Sequence, residues 1–274
     1  MAIAGGVLGF VLILALTLTT SRVIDAAIHL DLDVIAFSGR FARRSRVVDT
    51  FIWTVWTNAA LQGGVVMVLV WGVWFSCGEA PAGRRKRETM LSSLIGMYAC
   101  LLLTLVFRVI LPFRARPAMD QAVAFQMPYL PDGMIHVPEA TSFPSGHAAV
   151  LFSLAIGLWL VSRTLGLLAA LHGFVIVCLP RLYFGRHYAT DILAGAVLAI
   201  ATVLVVNELL RRGSLVQRLR VWSETRPGAF YSLFFLCSLD IATDFAYAKT
   251  VLRLVGSVHI TRVVMSVVGV VAPA

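Results

Sequence analysis

Long stretches without charged side chains are the feature that most limits how this chain can fold. Residues 3–20 carry no charge and are long enough to cross a bilayer. A spanning helix needs about 20 apolar residues, because its backbone must satisfy every hydrogen bond without water. The pattern therefore predicts an all-α polytopic membrane protein built as a six-transmembrane-helix bundle. The further predicted spans are 51–76, 90–107, 145–162, 164–180 and 188–207.

The composition agrees with a fold in lipid rather than in water. Hydrophobic residues make up 59% of the 274 residues and charged residues 14%, whereas about a quarter of a soluble domain is charged. The four cysteines form no CxxC pair, which indicates neither a zinc site nor a disulfide framework. A net charge of +9 can signal nucleic-acid binding, but basic loops and an anionic substrate account for it better in a membrane protein. We expect no nucleic-acid partner.

The segments outside the spans differ in character. Residues 21–50 mix apolar and charged side chains, which predicts an interfacial helix after the first span. Residues 211–274 start with a basic stretch and continue with apolar runs that are too short to cross a bilayer. The sequence thus predicts a six-span domain at 1–210 and a basic and amphipathic, membrane-associated C-terminal tail of unknown role at 211–274. A broken seventh span is the alternative for this tail.

Three polar clusters fall at span ends on one side of the predicted bundle. They are RVILPFRARP at 108–117, PSGH at 144–147 and RLYFGRHYATD at 181–191. Ionisable residues at span ends are energetically costly and usually functional. Any one cluster alone is better explained as a solvated loop or as a contact to lipid headgroups. Three clusters on one face favour a functional site.

The residue types in two of these clusters suit phosphate chemistry. Ser145 is a favoured helix N-cap, Gly146 lets the backbone approach a ligand, and a helix N-terminus attracts phosphate. His147 beside such a site can hold or move a proton. His187 and Asp191 stand four residues apart, so on a helix they share a face. The carboxylate can then fix the imidazole tautomer and leave the other nitrogen as a nucleophile.

In their order and spacing the three clusters resemble the signature of the type 2 phosphatidic acid phosphatase superfamily, which also includes the vanadium haloperoxidases. That signature is a basic residue, an Arg-Pro pair, PSGH, and then Ser-Arg, five residues, His, three residues and Asp. The matching residues of this chain are Arg116 and Pro117, the intact PSGH, and Arg181, His187 and Asp191 at the same spacing.

Two positions depart from that signature. The first basic residue is usually Lys, and its position here is Val109, with Arg108 one residue earlier. Either Arg108 or Arg114 replaces the usual Lys. Pro180 stands where a Ser precedes the Arg of the third motif. The resemblance covers roughly residues 20–210 and leaves out the tail.

The resemblance implies a role for each motif residue. His187 attacks phosphorus and becomes a phosphohistidine, Asp191 holds and stabilises the imidazolium, and His147 protonates the leaving oxygen and then activates water. The implied arginines supply the charge neutralisation that Mg²⁺ supplies in kinases, so no metal and no cofactor are expected. The implied phosphate-binding residues are Arg116, Arg181, Ser145, Gly146, Arg108 and Arg114.

The implied activity is that of a membrane lipid phosphatase acting on a lipid phosphate or diphosphate. Its expected partners are this substrate and membrane lipids, and the candidate substrates are undecaprenyl diphosphate, phosphatidylglycerophosphate, phosphatidate and a lipid A type. The alternatives are a lipid phosphotransferase with the same covalent step and a non-catalytic lipid transporter or binder. A haloperoxidase is disfavoured, because that activity needs a soluble helical shell. The sequence does not indicate an oligomeric state.

The basic residues also predict an orientation in the membrane. Counted over all loops, they are equally frequent on the two sides of the predicted bundle. Once the arginines at 108–116 and 181–186 are assigned to the substrate, the excess lies at 78–88 and beyond the sixth span. The positive-inside rule then places that side in the cytoplasm. The prediction is a multi-pass protein of the inner (cytoplasmic) membrane whose site faces the periplasm or outer side.

Overall fold

The fold is taken from a computed structural model, which describes residues 21–131, 141–243 and 245. All regular secondary structure in these residues is helical, which confirms the predicted all-α class. The elements, in chain order, are α1 (Ser21–Gly39), α2 (Arg46–Thr57), a first π-turn (Ala60–Gly64), α3 (Val65–Ser76), α4 (Pro81–Ile110), α5 (Gly146–Val161), α6 (Arg163–His172), a second π-turn (Gly173–Cys178), α7 (Leu179–Tyr183), α8 (Ala189–Arg211), α9 (Leu215–Thr225) and α10 (Pro227–Ala242).

Several of the described helices are candidates for crossing a membrane. Three are long and apolar enough on their own, namely Pro81–Ile110, Arg163–Tyr183 and Ala189–Arg211. A fourth candidate is the pair Arg46–Thr57 and Ala60–Ser76, which is bent by 66°. Helix α5 is apolar but shorter than these spans. The first predicted span lies outside the described residues, so the count of six stays a prediction.

The centre of the fold is a three-helix core formed by α4, α5 and α8. Cys100 of α4, Ala149 of α5 and Ala199 of α8 are fully buried where these helices meet. Asn207 of α8 donates from Nδ2 to the hydroxyl of Ser93 on α4 at 3.0 Å. Close packing of small residues and interhelical hydrogen bonds drive helix association in lipid, where apolar burial between helices supplies little force.

The connectivity of this core brings four helix ends to one side. Helix α4 runs toward that side and α5 runs away from it. The short turn at Ser162 makes α6 antiparallel to α5, so that α7 ends and α8 begins where α4 ends. The three polar motifs all lie at these four ends, as the predicted spans implied.

Helix α1 buries the charged side chain of Asp31 as well as the apolar side chain of Ile35. Ile24 is 46% exposed and Ile28 is 49% exposed, whereas Asp31 is only 2% exposed. An ionisable side chain is rarely buried without a partner, and the partners of Asp31 lie in the candidate site. The helix predicted within 21–50 is therefore present, and its placement at the membrane interface stays a prediction.

Helices α9 and α10 belong to the predicted tail, and both pack on the rest of the fold. Arg220 of α9 donates to Glu88 near the start of α4 at 2.9 Å. The indole N–H of Trp74 on α3 donates to the hydroxyl of Tyr231 on α10 at 2.9 Å. The described part of the tail is thus tied to two helices of the predicted six-span domain. Residues 246–274 of the predicted tail lie outside the described residues.

Candidate active site

The start of α8 is held against the start of α5 by backbone contacts. The N–H of Ser145 donates to the carbonyl of Asp191 at 3.0 Å. The Ser145 hydroxyl caps α5 by accepting from the N–H of Ala148 at 3.4 Å. A Cβ added at Gly195 would lie 2.5 Å from the carbonyl oxygen of Ser145, so this approach requires glycine. The PSGH motif and the motif that ends in Asp191 are therefore packed together through their backbones.

His187 lies in the turn before α8 and is 3% exposed. Its Nδ1 is 3.4 Å from Oδ2 of Asp191, which is within ion-pair distance. Nδ1 makes no hydrogen bond to any of the described residues. Burial, and to a smaller extent the charges of Arg116 and His147, lower the pKa of His187 to about 4, although Asp191 acts to raise it. The imidazole is therefore neutral at pH 7 and keeps the lone pair that a nucleophile requires.

The Asp191 carboxylate is fixed by hydrogen bonds on both oxygens. Oδ2 accepts from the N–H of Tyr188 at 2.8 Å, and Oδ1 accepts from Nη1 of Arg114 at 2.7 Å. Nη2 of Arg114 donates to Asp31 of α1 at 2.6 Å. Asp31 also accepts from the N–H of Thr190 at 2.9 Å. Arg114 thus bridges two carboxylates, and its role in binding phosphate stays a prediction.

A group of buried arginines lies beside His187. Arg116 is 6% exposed and donates from Nη1 to the carbonyl of Arg186 at 2.7 Å. Burial lowers the pKa of Arg116 to about 10, and the positive charges of Arg186, Arg108 and Arg181 act in the same direction. Nε of Arg116 is buried and donates to no acceptor among the described residues. An anion would both satisfy this donor and relieve the repulsion among the guanidinium groups.

Arg181 is held by the first π-turn, which lies far from it in sequence. The side chain is 5% exposed, and Nη1 donates to Oε1 of Gln62 at 2.9 Å and to the carbonyl of Val177 at 2.8 Å. The amide nitrogen of Gln62 donates in turn to the carbonyl of Trp56 at 2.6 Å. Gln62 therefore satisfies a carbonyl that the helix bend leaves without an intrahelical partner and also positions an arginine of the cluster.

A cavity of about 200 Å³ opens beside this cluster. Its polar end is lined by Arg108, Gly146, His147 and Gln62. Arg108 donates to the carbonyl of Pro144 from Nε at 3.3 Å and from Nη2 at 3.2 Å. The rest of the lining consists mainly of apolar residues from α4 and α5 and from the C-terminal end of α10. The cavity therefore joins a cationic end to an apolar one.

The structure brings most of the predicted site residues into one group. Hydrogen bonds, shared cavity walls or mutual electrostatic effects connect Arg108, Arg116, Arg181, Ser145, Gly146, His147, His187 and Asp191. Arg114 reaches this group through Asp191. Within residues 21–131, 141–243 and 245, no cluster of three or more His, Cys, Asp or Glu side chains is arranged to hold a metal ion. Metal independence itself stays a prediction.

Two residues of the site were missed from the sequence. Asp31 is one of four aspartates in 21–50, and nothing in the sequence distinguishes it from Asp25, Asp33 and Asp49. Gln62 did give a signal, because it is a polar residue beside two glycines within the apolar stretch 51–76. Polar residues inside predicted spans are frequently functional.

A neutral buried histidine, a fixed carboxylate and clustered arginines at the ends of apolar helices define a helical membrane protein with a site for an anion such as phosphate. The family model of the PAP2 superfamily matches residues 89–213, a range that includes PSGH, Arg181, His187 and Asp191. Residues 89–213 thus match the PAP2 superfamily, which confirms the resemblance indicated by the three motifs.

One similar solved structure is described as the crystal structure of the first transmembrane PAP2 type phosphatidylglycerolphosphate phosphatase from Bacillus subtilis. It is 19% identical to this chain, with a TM-score of 0.47, and the match covers 77% of this chain and 98% of the other. Comparison with curated proteins found no match.

Proposed function

We propose that this protein is a membrane phosphatase that removes phosphate from a lipid phosphate or diphosphate through a phosphohistidine. The observation that carries this proposal is the position of a buried, neutral His187 beside an arginine cluster in which Arg116 and Arg181 are buried and Arg108 is half-buried. The PAP2 match supports the class of reaction. The apolar walls of the cavity beside Arg108 and His147 support a substrate with a hydrophobic tail.

In the first step, the arginine cluster binds the phosphoryl oxygens and Nε2 of His187 attacks phosphorus. A P–N bond forms while the P–O bond to the leaving group breaks. His147 donates a proton to the leaving oxygen, which yields a lipid alcohol from a monophosphate or a lipid monophosphate from a diphosphate. The imidazole becomes positively charged in this step, and the fixed carboxylate of Asp191 stabilises that charge.

In the second step, His147 is neutral and takes a proton from a water molecule. The resulting hydroxide attacks phosphorus, the P–N bond breaks, and inorganic phosphate leaves with the bonding electrons returned to His187. Each histidine then has its starting protonation state. Ser145 and the N–H of Gly146 complete the binding of the phosphoryl oxygens at the start of α5.

The arginines supply the charge neutralisation of the transition state. They are clustered, and Arg116 and Arg181 are buried, so little reorganisation accompanies charge development on the phosphoryl oxygens. Arg116 remains protonated at pH 7, since its pKa is lowered only to about 10. The proposal includes turnover without a metal ion.

The decisive experiment measures phosphate release from a panel of lipid phosphates and diphosphates by the purified full-length protein in detergent with EDTA. We expect turnover that His187→Ala abolishes and that His29→Ala, a change at an exposed histidine outside the site, leaves intact. Loss of activity with EDTA would refute metal independence. Full activity of His187→Ala would refute the covalent step, and transfer of phosphate to an added lipid or glycan acceptor would identify a phosphotransferase.

The proposed location is the inner membrane, with the site on the periplasmic or outer side. The basic residues at 78–88 support this orientation. Single cysteines introduced as Arg85→Cys and His136→Cys test it in intact cells with a membrane-impermeant thiol reagent. Labelling of the cysteine at 136 but not of the one at 85 is expected, and the reverse pattern would invert the orientation.

A further inference from the structure

The C-terminal end of α10 forms part of the cavity that Arg108, Gly146 and His147 also line. Ile241, Ala242 and Phe245 line the same cavity as Arg108 and His147. All three lie outside residues 89–213, the part of the chain that matches the PAP2 superfamily. This wall of the cavity is therefore contributed by the part of the sequence for which no motif indicated a role.

The backbone at the end of α10 packs directly against the backbone of the first π-turn. A Cβ added at Gly63 would lie 2.7 Å from the carbonyl oxygen of Ile241 and 2.9 Å from Cα of Ala242. No residue other than glycine allows this approach without moving one of the two segments. Gln62, the neighbour of Gly63, lines the cavity and accepts from Arg181. The first π-turn therefore contacts both the end of α10, through Gly63, and the arginine cluster, through Gln62.

Aromatic contacts hold the rest of α10 in place. The indole N–H of Trp71 on α3 donates to the hydroxyl of Ser238 at 2.9 Å. The ring of Trp71 also packs on Phe234, with 4.5 Å between the ring centroids. Phe234 and Ser238 are both buried. Helix α10 is therefore attached along its length and can present a fixed wall to a ligand.

Phe245 holds a backbone conformation that favours glycine. Its φ is 56°, and its N–H donates to the carbonyl of Asp240 at 2.7 Å, which closes the turn after α10. A bulky residue in the left-handed region is energetically unfavourable and persists only where its surroundings fix it. The ring is buried and packs edge-on to Tyr98 of α4, with 6.3 Å between the centroids. This turn therefore holds the Phe245 ring in the cavity wall.

We propose that Ile241, Ala242 and Phe245 determine which hydrophobic tail the enzyme accepts, by contacting the first carbons of the tail next to the phosphate. The occupant is the apolar part of a phosphate-bearing lipid, because the cavity joins apolar walls to the cationic end at Arg108. A cavity of about 200 Å³ admits only a short length of such a tail. The wall can therefore distinguish lipid tails that are branched near the phosphate from tails that are not. This inference rests on the proposed phosphatase function.

The test compares kcat/KM for a prenyl monophosphate, which is branched near the phosphate, with kcat/KM for a straight-chain alkyl monophosphate. Ala242→Phe fills the cavity and should lower the prenyl-to-alkyl ratio by about tenfold or more, since one methylene in a hydrophobic pocket changes discrimination by about 10–200-fold. Phe245→Ala widens the cavity and should raise the same ratio. Phe235→Ala removes an aromatic ring from the same helix at a position that is 58% exposed, and it should leave the ratio unchanged.

The ratio is measured within one preparation, so a partly unfolded variant still gives a valid result. Inhibition by inorganic phosphate should be equal in the wild type and all variants, because the cationic end of the cavity is unaltered. Unchanged ratios in both Ala242→Phe and Phe245→Ala would overturn this inference while leaving the phosphatase proposal intact. Failure of the wild type to hydrolyse any lipid phosphate would instead overturn the proposed function.

Discussion

Arg114 and Asp191 form a 2.7 Å ion pair whose carboxylate also faces His187. The same guanidinium also lies 2.6 Å from Asp31 of α1. Asp31 therefore helps to position Asp191, which is proposed to orient the nucleophile His187. Two carboxylates and one guanidinium leave this group with a net negative charge beside the histidine. That charge suits the imidazolium that develops when His187 attacks phosphorus.

The bridge between the two carboxylates predicts the effect of Arg114→Lys. A lysine keeps the charge but has no planar fork with which to hold Asp31 and Asp191 together. We expect kcat to fall by roughly 10–100-fold, the usual effect of losing a partner that orients a site residue, with KM little changed. Steady-state kinetics on a lipid phosphate measure both constants. Arg22→Lys, at an exposed position of α1, is the matched control. A rise in KM at constant kcat would instead indicate that Arg114 binds phosphate directly.

Arg116 is expected to act on binding. Its Nε donates to no acceptor among the described residues, and its charge is surrounded by those of Arg186, Arg108 and Arg181. A hydrogen bond to a charged group contributes about 1.5–3 kcal/mol, so Arg116→Gln should weaken competitive inhibition by inorganic phosphate by roughly 10–100-fold.

The control for this change is Arg226→Gln, in the connection between α9 and α10. It should leave the inhibition constant of inorganic phosphate unaltered. Equal inhibition of Arg116→Gln and the wild type would remove Arg116 from the phosphate site.

Burial of His187 predicts how stability depends on pH. The folded protein binds a proton at this imidazole only near pH 4, whereas the unfolded chain binds one near pH 6.5. Between these values the unfolded state carries more protons, so the stability contributed by the neutral imidazole is present above pH 6.5 and is lost as pH falls toward 4. In His187→Gln this loss should be absent.

The measurement is the midpoint of thermal unfolding in detergent, followed by tryptophan fluorescence from pH 7 to pH 4. The wild type should lose stability relative to His187→Gln as the pH is lowered. If the ion pair with Asp191 outweighed burial, the folded pKa would lie above 6.5 and the wild type would gain relative stability instead. The sign of the difference therefore separates the two effects.

The sequence predicted the parts of the fold and site that depend on local pattern. The spans predicted at 90–107, 164–180 and 188–207 correspond to the helices Pro81–Ile110, Arg163–Tyr183 and Ala189–Arg211, because apolar length in lipid leaves the backbone no other choice. The predicted contact between His187 and Asp191 is present at 3.4 Å, although His187 lies in the turn before α8 and not on the helix face that the spacing predicted.

The parts that depend on tertiary contacts were not predicted. The stretch 51–76 is apolar on average and carries no charge, yet the helix breaks at Asn58, whose side chain accepts from the N–H of Leu61 at 3.0 Å and starts a new helical segment. That break turns Gln62 toward Arg181, which is distant in sequence. Hydropathy measures the average character of a stretch and does not register a single capping side chain. The same limit applies to Asp31, whose partners lie in other segments.

The contact between Gly195 and Ser145 gives a prediction about the coupling of the two motifs. A Cβ at position 195 would lie 2.5 Å from the Ser145 carbonyl and 3.1 Å from the Cβ of Ala148, so Gly195→Ala must separate the starts of α5 and α8. Because Ser145 and His187 are placed by those two starts, we expect kcat/KM to fall by well over tenfold, since small displacements of reacting groups are costly.

Gly72→Ala is the control, because a Cβ there meets no atom within 4 Å and alanine favours a helix by about 1 kcal/mol. Kinetics and thermal unfolding of the two variants should therefore diverge, with Gly72→Ala fully active and at least as stable as the wild type. A Gly195→Ala protein with wild-type kinetics would show that the two helix starts move independently of the reacting groups.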